Sequence, residues 1–448
     1  MAKTDTRELV LQMLLDIFAE KEYSHVLIRA VLDKYDYLSL SEKAFMKRLT
    51  EGTLERQIQL DYVINQFSKV PVHKMKPFIR ALLRMSVYQI LFMDSVPDSA
   101  ACNEAVKLAT AHKFSSLKGF VNGVLRNIAR NRDSISYPKK EENMTTYCSV
   151  AYSMPEWIVE KLLQTYGEKD TETILQGLLE EHPVTVRLAE RLTEAEQKAV
   201  LEKWQQTGIS WKAFPDLPKV FALQKTEGVT KLPGFMEGLL TVQDVSSILV
   251  GENLSADGVT HVMDVCSAPG GKACHIAEKL QGTGTVIARD LTDYKVERIQ
   301  ENTGRLGLTN VDPQVWDALK FDETKKEWAD ILLCDLPCSG FGVMGKKRDI
   351  KYRAKANQVE EIVALQKKIL QTVWPYVKKG GILLYSTCTI LPEENQEMVQ
   401  WIVKELPFTI EKMWLPDTFA KREDTWGTQL LPGIHPCDGF FFCKLRRV

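Results

Sequence analysis

Apolar residues in the first third of the chain recur every three or four positions, as in Leu9, Met13, Leu14, Ile17 and Phe18, and the runs break at Ser, Pro and Asp. That period lines one face of successive helices and predicts a compact all-α bundle over residues 1–136. Residues 137–181 open with the polar, proline-broken stretch YPKKEENMTTYCSV and read as a linker with two connecting helices. The period then shortens. HPVTVRLAE predicts a strand, RLTEAEQKAVLEKWQQTG a helix and GISWKAFPDLPKVFALQ strand and turn, so residues 182–237 read as a small α+β segment.

From 238 to 448 the pattern becomes strand, turn, helix, repeated. VTHVMDVCSA, GTVIARDLT, ADILLCDLP and GGILLYSTCTI are each followed by a helical run, and DGFFFCKLRR closes the chain as a strand. Strands alternating with helices of this length predict an α/β, Rossmann-like domain with a mostly parallel sheet. The final strand is expected to be antiparallel, at or near the sheet edge.

Totals narrow the class. The chain has 448 residues, 44% hydrophobic and 26% charged, too long for one core and ordinary for a soluble multidomain protein. No stretch approaches the roughly 18 consecutive apolar residues of a membrane span. The opening MAKTDTRELVLQML reaches charge at once, without a signal-type apolar segment, and reads as cytoplasmic. Nine irregularly spaced cysteines, with no CxxC pair, fit reduced thiols and neither a disulfide framework nor a metal site. The formal charge of -1 hides an asymmetry: residues 1–140 carry 22 Lys and Arg against 15 Asp and Glu, the remainder 36 against 44. A basic module joined to an acidic one suits a polyanionic partner for the first.

Open α/β sheets bind ligands at the carboxyl ends of their strands. After the first parallel strand come Cys266, Ser267, Ala268, Pro269, Gly270, Gly271 and Lys272. Two glycines at a helix start let backbone amides approach a ligand, and Lys272 adds a charge suited to a carboxylate or phosphate. A phosphate-gripping P-loop would need glycine where Cys266 stands and Ser or Thr where Ala273 stands. Asp290 ends the second strand, 19 residues past Gly271, the separation at which a carboxylate reaches ribose hydroxyls. Asp317 follows the third strand, where it can accept from an adenine amino group. Either aspartate alone could cap a helix. Together with the glycine turn, and with Arg298 on the helix after Asp290, they favour a nucleoside carrying a carboxylate tail. S-adenosylmethionine fits that description better than NAD.

The fourth strand ends in Asp335, Pro337 and Cys338, the fifth in Ser386, Thr387 and Cys388. Adjacent parallel strands lie about 4.8 Å apart, so the thiols should fall within roughly 10 Å of each other. A thiol beside a methyl donor has a use. Carbon 5 of cytosine is too weak a nucleophile until a thiolate adds to carbon 6. A carboxyl group near ring N3 helps that addition, and a base must afterwards take the carbon-5 proton. Asp335 and one of the cysteines fit those parts; the residues alone do not say which cysteine attacks.

VMDVCSAPGGKACH, DLPCSG, KKRDIKYR, LLYSTCTILPEENQ and DGFFFCKL, in this order over residues 240–448, resemble the NOL/NOP/sun family of RNA cytosine-5 methyltransferases. CNEAVKLATAHKFSSLKGFVNGVLRNI resembles the helical NusB antitermination domain. The pairing is similar to bacterial enzymes that methylate one cytosine of 16S ribosomal RNA, the small-subunit RNA. The resemblance implies S-adenosylmethionine as cofactor, unmodified 16S ribosomal RNA as partner, and action as a monomer. It implies that Cys388 attacks the base and Cys338 assists release, with Asp290, Asp317 and Asp335 in cofactor and catalytic contacts and Lys272 beside the donor. Ser267, Ala273 and Cys274 depart from the residues more usual around the glycine turn, and VRLAE at 186–190 lacks an asparagine often found there; both bear on substrate contacts. KKRDIKYRAK, with Tyr352 for stacking, is expected to grip single-stranded RNA, and Lys113, Lys118, Arg126, Arg130 and Arg132 to form a second RNA surface. A transfer RNA methyltransferase would share every catalytic motif. A nonenzymatic RNA-binding or antitermination factor would have no need of both cysteines.

Overall fold

A computed structural model describes residues 5–224, 226, 228–419 and 425–448. The chain divides into two compact units, one of Met1–Leu179 with Met344–Ala354, the other of Glu180–Val343 with Lys355–Val448.

In the first unit the three-to-four period becomes helices, among them Thr6–Phe18, Leu40–Glu55, Pro77–Phe92, Asp98–Ala111 and Lys118–Arg130. Their starts follow local chemistry. The Asp5 carboxylate accepts from the amides of Arg7 and Glu8, Ser39 and Glu42 form a reciprocal capping box, and Pro77 opens its helix where no amide is needed. Leu11, Leu14, Leu49, Leu82, Leu83 and Leu125 are fully buried between these helices. The stretch read as a linker does more than connect. Asn143 caps a helix Met144–Ala151 whose Cys148 is buried, and the helix Glu156–Gly177 is broken at Gly167 (φ 72°) into the two predicted pieces.

Residues 344–354 correct an expectation. KKRDIKYR is only in part an open basic loop: Lys346 and Lys347 are exposed, but Arg348, Lys351 and Tyr352 are turned into the helical unit. Arg348 pairs with Glu51 at 3.2 Å and Glu55 at 3.0 Å. Lys351 is buried and donates to the Glu55 carbonyl at 2.9 Å. The hydroxyl of half-buried Tyr352 meets the carbonyls of Glu55 and Ser153 at 3.2 and 3.3 Å. Asp349 accepts from the amide and hydroxyl of Ser24. Tyr352 is therefore not presented for stacking on a base.

The second unit holds two sheets. The smaller comprises β1 (Val184–Leu188), β2 (Ser210–Phe214), β3 (Leu217–Gln224) and β4 (Leu240–Val242), antiparallel in the order β2-β3-β1-β4. The larger contains β5 (His261–Asp264), β6 (Thr285–Asp290), β7 (Val311–Val315), β8 (Ala329–Asp335), β9 (Val377–Thr387), β10 (Phe408–Glu411), β11 (Thr428–Leu430) and β12 (Phe440–Arg447). Its order is β10-β12-β9-β8-β5-β6-β7, with β11 on β12. β5 to β9 pair in parallel, and the closing β12 runs antiparallel to β9, one strand in from the edge. The central strands are apolar on both faces, as a sheet covered by helices requires: Val262, Met263, Ile331, Leu332, Leu333 and Leu384 are buried. The order reverses at β5, which lies between β6 and β8, and the carboxyl ends beside that switch point carry the site. No helix among the described residues is long and apolar enough to cross a membrane.

Candidate active site

β5 ends at Asp264, and the glycine turn carries the chain into the helix Gly271–Lys279. Gly270 lies in the left-handed region at φ 96°, and an added Cβ would come within 3.2 Å of Ile299. Glycine is therefore required there on both counts. It also leaves the helix without a side-chain cap, so its first amides face outward as an anion site. On one flank the Gln243 side chain, nine-tenths buried, has neither amide nitrogen nor oxygen paired among the described residues, and a Cβ on Gly271 would sit 3.7 Å from its nitrogen. A buried amide with open valences beside an uncapped helix start suits a zwitterionic amino-acid tail.

Asp290 is buried at the end of β6. One oxygen accepts the Ala268 amide at 2.9 Å, the other the Leu291 amide at 2.8 Å, and Lys295 approaches at 2.9 Å. Thr292, not Asp290, caps the following helix Asp293–Leu306, which removes the capping alternative. Asp317, in the turn after β7, accepts the Leu319 amide at 2.9 Å and caps that turn. Arg298 bonds along its own helix, to Glu301 at 2.7 Å and Tyr294 at 3.2 Å.

Asp335 and Ser386 face each other across β8 and β9. The Asp335 carboxylate accepts from the Ser386 hydroxyl at 2.9 Å and from the Lys272 ammonium at 2.7 Å, while Lys272 also reaches Ser247 at 3.2 Å and lies 5.0 Å from the Phe440 ring centre. Burial, the largest single influence, pushes the Lys272 pKa down, but the Asp335 charge and hydrogen bond together with the Asp264 charge outweigh it and the net direction is up. Behind them Asp264 is fully buried. Loss of solvent, and then the nearby Asp335 charge, push its carboxyl up to about 7.

The two thiols are much closer than strand spacing alone requires. Cys338 Sγ and Cys388 Sγ are 3.3 Å apart, both half-buried and neither in a disulfide. Gly342 donates its amide to the Cys388 carbonyl at 3.0 Å, which ties the end of one loop to the other. The Cys338 pKa is held well above the ordinary thiol value by its hydrogen bond to Cys388 and then by burial.

One set of neighbours escaped the sequence reading. Gln366, Glu394 and Asn395, all fully buried, surround both thiol loops. A Glu-Asn pair right after a strand-end loop is the only signal that could have pointed to them, and PEENQ also reads as a solvated helix start.

The family model for the 16S rRNA methyltransferase RsmB/F matches residues 253–446, that for the NusB family residues 4–130, and that for the RsmF/B-like ferredoxin-like domain residues 154–230. The probable ribosomal RNA small subunit methyltransferase B of Bacillus subtilis is 36% identical, with 100% of each chain covered. The chain belongs to the ribosomal RNA small subunit methyltransferase B family. A Synechocystis relative of the same description is 31% identical over 98% of this chain and 99% of its own. Among solved structures, PH0851 aligns with a TM-score of 0.81 at 23% identity, covering 99% of both chains. A methyltransferase homolog from Pyrococcus horikoshii aligns with a TM-score of 0.59 at 24% identity, covering 68% of this chain and 99% of its own. These likenesses bear out the expected architecture of a helical NusB-like region, a small α+β segment and a mostly parallel methyltransferase sheet, and the family model describes the α+β segment as ferredoxin-like. The cofactor of the family is S-adenosylmethionine, and the uncapped helix start, the unpaired Gln243 amide and the Asp290 carboxylate fit its amino-acid tail and ribose.

Proposed function

We propose that the chain methylates carbon 5 of one cytosine in 16S ribosomal RNA through a covalent adduct between Cys388 and carbon 6 of the base. The observation that carries this reading is the pair of thiols at 3.3 Å beside the Lys272–Asp335 ion pair. A lone buried cysteine is packing; two opposed thiols at the carboxyl ends of neighbouring strands are chemistry.

In this reading Cys388 attacks as the thiolate and its sulfur bonds to carbon 6. The carbon 5–carbon 6 electrons shift into the ring, and ring N3 takes the balancing proton through Asp335, whose carboxylate relays it from the Lys272 ammonium bonded to it at 2.7 Å. S-adenosylmethionine supplies the electrophilic methyl group that carbon 5 accepts. Cys338 releases its own proton to solvent and, as thiolate, takes the carbon-5 proton; the ring double bond re-forms, the sulfur–carbon 6 bond breaks to return the Cys388 thiolate, and N3 gives its proton back through Asp335 to Lys272. Cys338 suits the later step because its raised pKa owes most to the hydrogen bond with Cys388. That bond is lost once the Cys388 sulfur is tied to carbon 6, so Cys338 gives up its own proton more readily in the adduct. Cys266, Ser267, Ala268, Pro269, Gly270, Gly271, Asp290, Arg298 and Asp317 are assigned to cofactor binding.

The NusB-like region, residues 1–136, is the second RNA grip. A groove of about 850 Å³ between the helices Asp98–Ala111 and Lys118–Arg130 is lined by Lys107, Lys118, Arg126, Asn103 and Asn122. Lys118 and Arg126 with the two amides suit a phosphate backbone, while Lys107 pairs at 2.7 Å with Glu104 of the same groove. The protein acts as a monomer in this reading. Incubation of unmodified small-subunit RNA, and separately of transfer RNA, with methyl-labelled S-adenosylmethionine tests it. Label at carbon 5 of a single small-subunit cytosine is expected; label in transfer RNA alone overturns the substrate, and label on another base atom overturns the mechanism.

A further inference from the structure

Glu394 and Asn395 are consecutive, fully buried and polar, and neither touches the Lys272–Asp335 pair in any hydrogen bond described above. Their partners fall into two sets. Glu394 accepts the Ser339 amide at 2.9 Å, the Ser339 hydroxyl at 2.5 Å and the Gln366 amide at 3.2 Å. The same Gln366 nitrogen donates to the Pro337 carbonyl at 2.9 Å. The residues on either side of Cys338 are thus held from one direction. Asn395 accepts the Thr387 hydroxyl at 2.5 Å and donates to the Thr389 carbonyl at 3.1 Å, which holds the residues on either side of Cys388. Gln429 fixes the Asn395 amide orientation by accepting from it at 2.8 Å. One further bond joins the sets: the hydroxyls of Ser339 and Thr389 are 2.7 Å apart. Thr389 also hydrogen-bonds the Glu394 carboxylate, so the two sets meet at this pair of hydroxyls.

We propose that Glu394 and Asn395 form a two-sided bracket that sets the position of each thiol separately, Glu394 governing Cys338 and product release, Asn395 governing Cys388 and attack. The proposal rests on the two-thiol reading. Neither residue meets substrate; both are positioning residues. A carboxylate suits the first place because three donors converge on it, and an amide suits the second because it must accept from a hydroxyl and donate to a carbonyl at once. Misplacing a reacting atom by a fraction of an ångström slows its step while leaving substrate binding intact.

The isosteric exchanges Glu394→Gln and Asn395→Asp separate the two sides. E394Q sets an amide nitrogen against donors it cannot accept, and N395D turns a donor into an acceptor facing the Thr389 carbonyl. In single-turnover assays with labelled S-adenosylmethionine, N395D is expected to slow methyl transfer about 10-fold, with no adduct resisting denaturant, the scale of one unsatisfied buried polar group. E394Q is expected to transfer the first methyl group at close to the parent rate, then to lose about 10-fold in kcat with adduct accumulating and KM for S-adenosylmethionine unchanged. If E394Q proves too unstable to assay, Ser339→Ala deletes one bond of the same side and carries the same expectation, reversed by Ser339→Thr. Equal slowing of both steps in both variants, or parent behaviour in both, overturns the bracket. Cys338→Ala in the same assay keeps the two ideas apart: if it traps adduct while E394Q and S339A do not, the bracket falls and the two-thiol reading stands; if it traps none, the reading itself falls.

Discussion

Residues 335–343 and 344–354 are consecutive, yet the chain uses them in opposite ways. The first stretch, DLPCSGFGV, stays in the α/β unit and carries the half-buried Asp335 and Cys338. The second, MGKKRDIKYRA, is folded into the helical unit. Both carry motif character in the sequence, and the lysines near each show what separates them. Lys272 faces the Asp335 carboxylate and its pKa is raised. Lys351 faces the carbonyl of Glu55, and burial pulls its pKa down to about 7. Charge that meets an opposite charge is held in its ionised form; charge that meets carbonyls in a core holds two segments together. Density of Lys and Arg in a sequence does not distinguish the two.

The contrast breaks most strongly at the thiols. Cys388→Ala is expected to reduce methyl transfer by roughly 10^4-fold or more, as loss of a covalent nucleophile does, with the melting temperature little changed; residual transfer near the parent rate would refute the nucleophile assignment. Cys338→Ala should lower turnover by about 10^2- to 10^4-fold, the share of a general base, while leaving a protein–RNA adduct visible on a denaturing gel. Adduct in Cys388→Ala and free product in Cys338→Ala would exchange the two roles.

Much of this cleft was legible beforehand, for a physical reason. The strand-turn-helix period fixes which residues stand at strand carboxyl ends, so Asp290, Asp335, Cys338 and Cys388 follow from pattern alone. The pattern bounds the thiol separation at roughly 10 Å; the observed 3.3 Å depends on bonds from Gln366, Glu394 and Asn395 that no periodicity encodes. Gln243 was missed because it precedes the first parallel strand and belongs to no nucleotide-binding pattern. KKRDIKYR misled because its partners, Glu51 and Glu55, lie nearly 300 positions earlier, and long-range ion pairing leaves no local mark. The linker was misread for the opposite reason: Asn143 capping and the burial of Cys148 outweigh the polar composition of a short segment.

On the structural side of the comparison, Arg348→Ala should cost stability and spare chemistry. It removes charge-assisted bonds to Glu51 and Glu55 that are largely shielded from solvent and leaves two carboxylates facing each other. The expected loss is roughly 1 to 3 kcal/mol, read as a lower urea midpoint with KM for S-adenosylmethionine unchanged. A variant with parent stability and weakened RNA binding would restore the RNA-contact role for this stretch.

The remaining effect is a pH dependence at Lys351. Its folded pKa of about 7 lies below the roughly 10.4 of an unfolded lysine. Between those values the unfolded chain binds more protons than the folded one, so this group makes stability rise with pH across that window and fall toward its lower limit below pH 7. Lys351→Met removes the titration along with the hydrogen bond to the Glu55 carbonyl. Relative to the parent, the variant should therefore fare best near pH 6.5 and lose ground steadily up to pH 10. Melting temperatures of both proteins across that range check it, and a difference that does not vary with pH would mean that the Lys351 ammonium keeps its charge in the core, held there as firmly as Lys272 is held by Asp335.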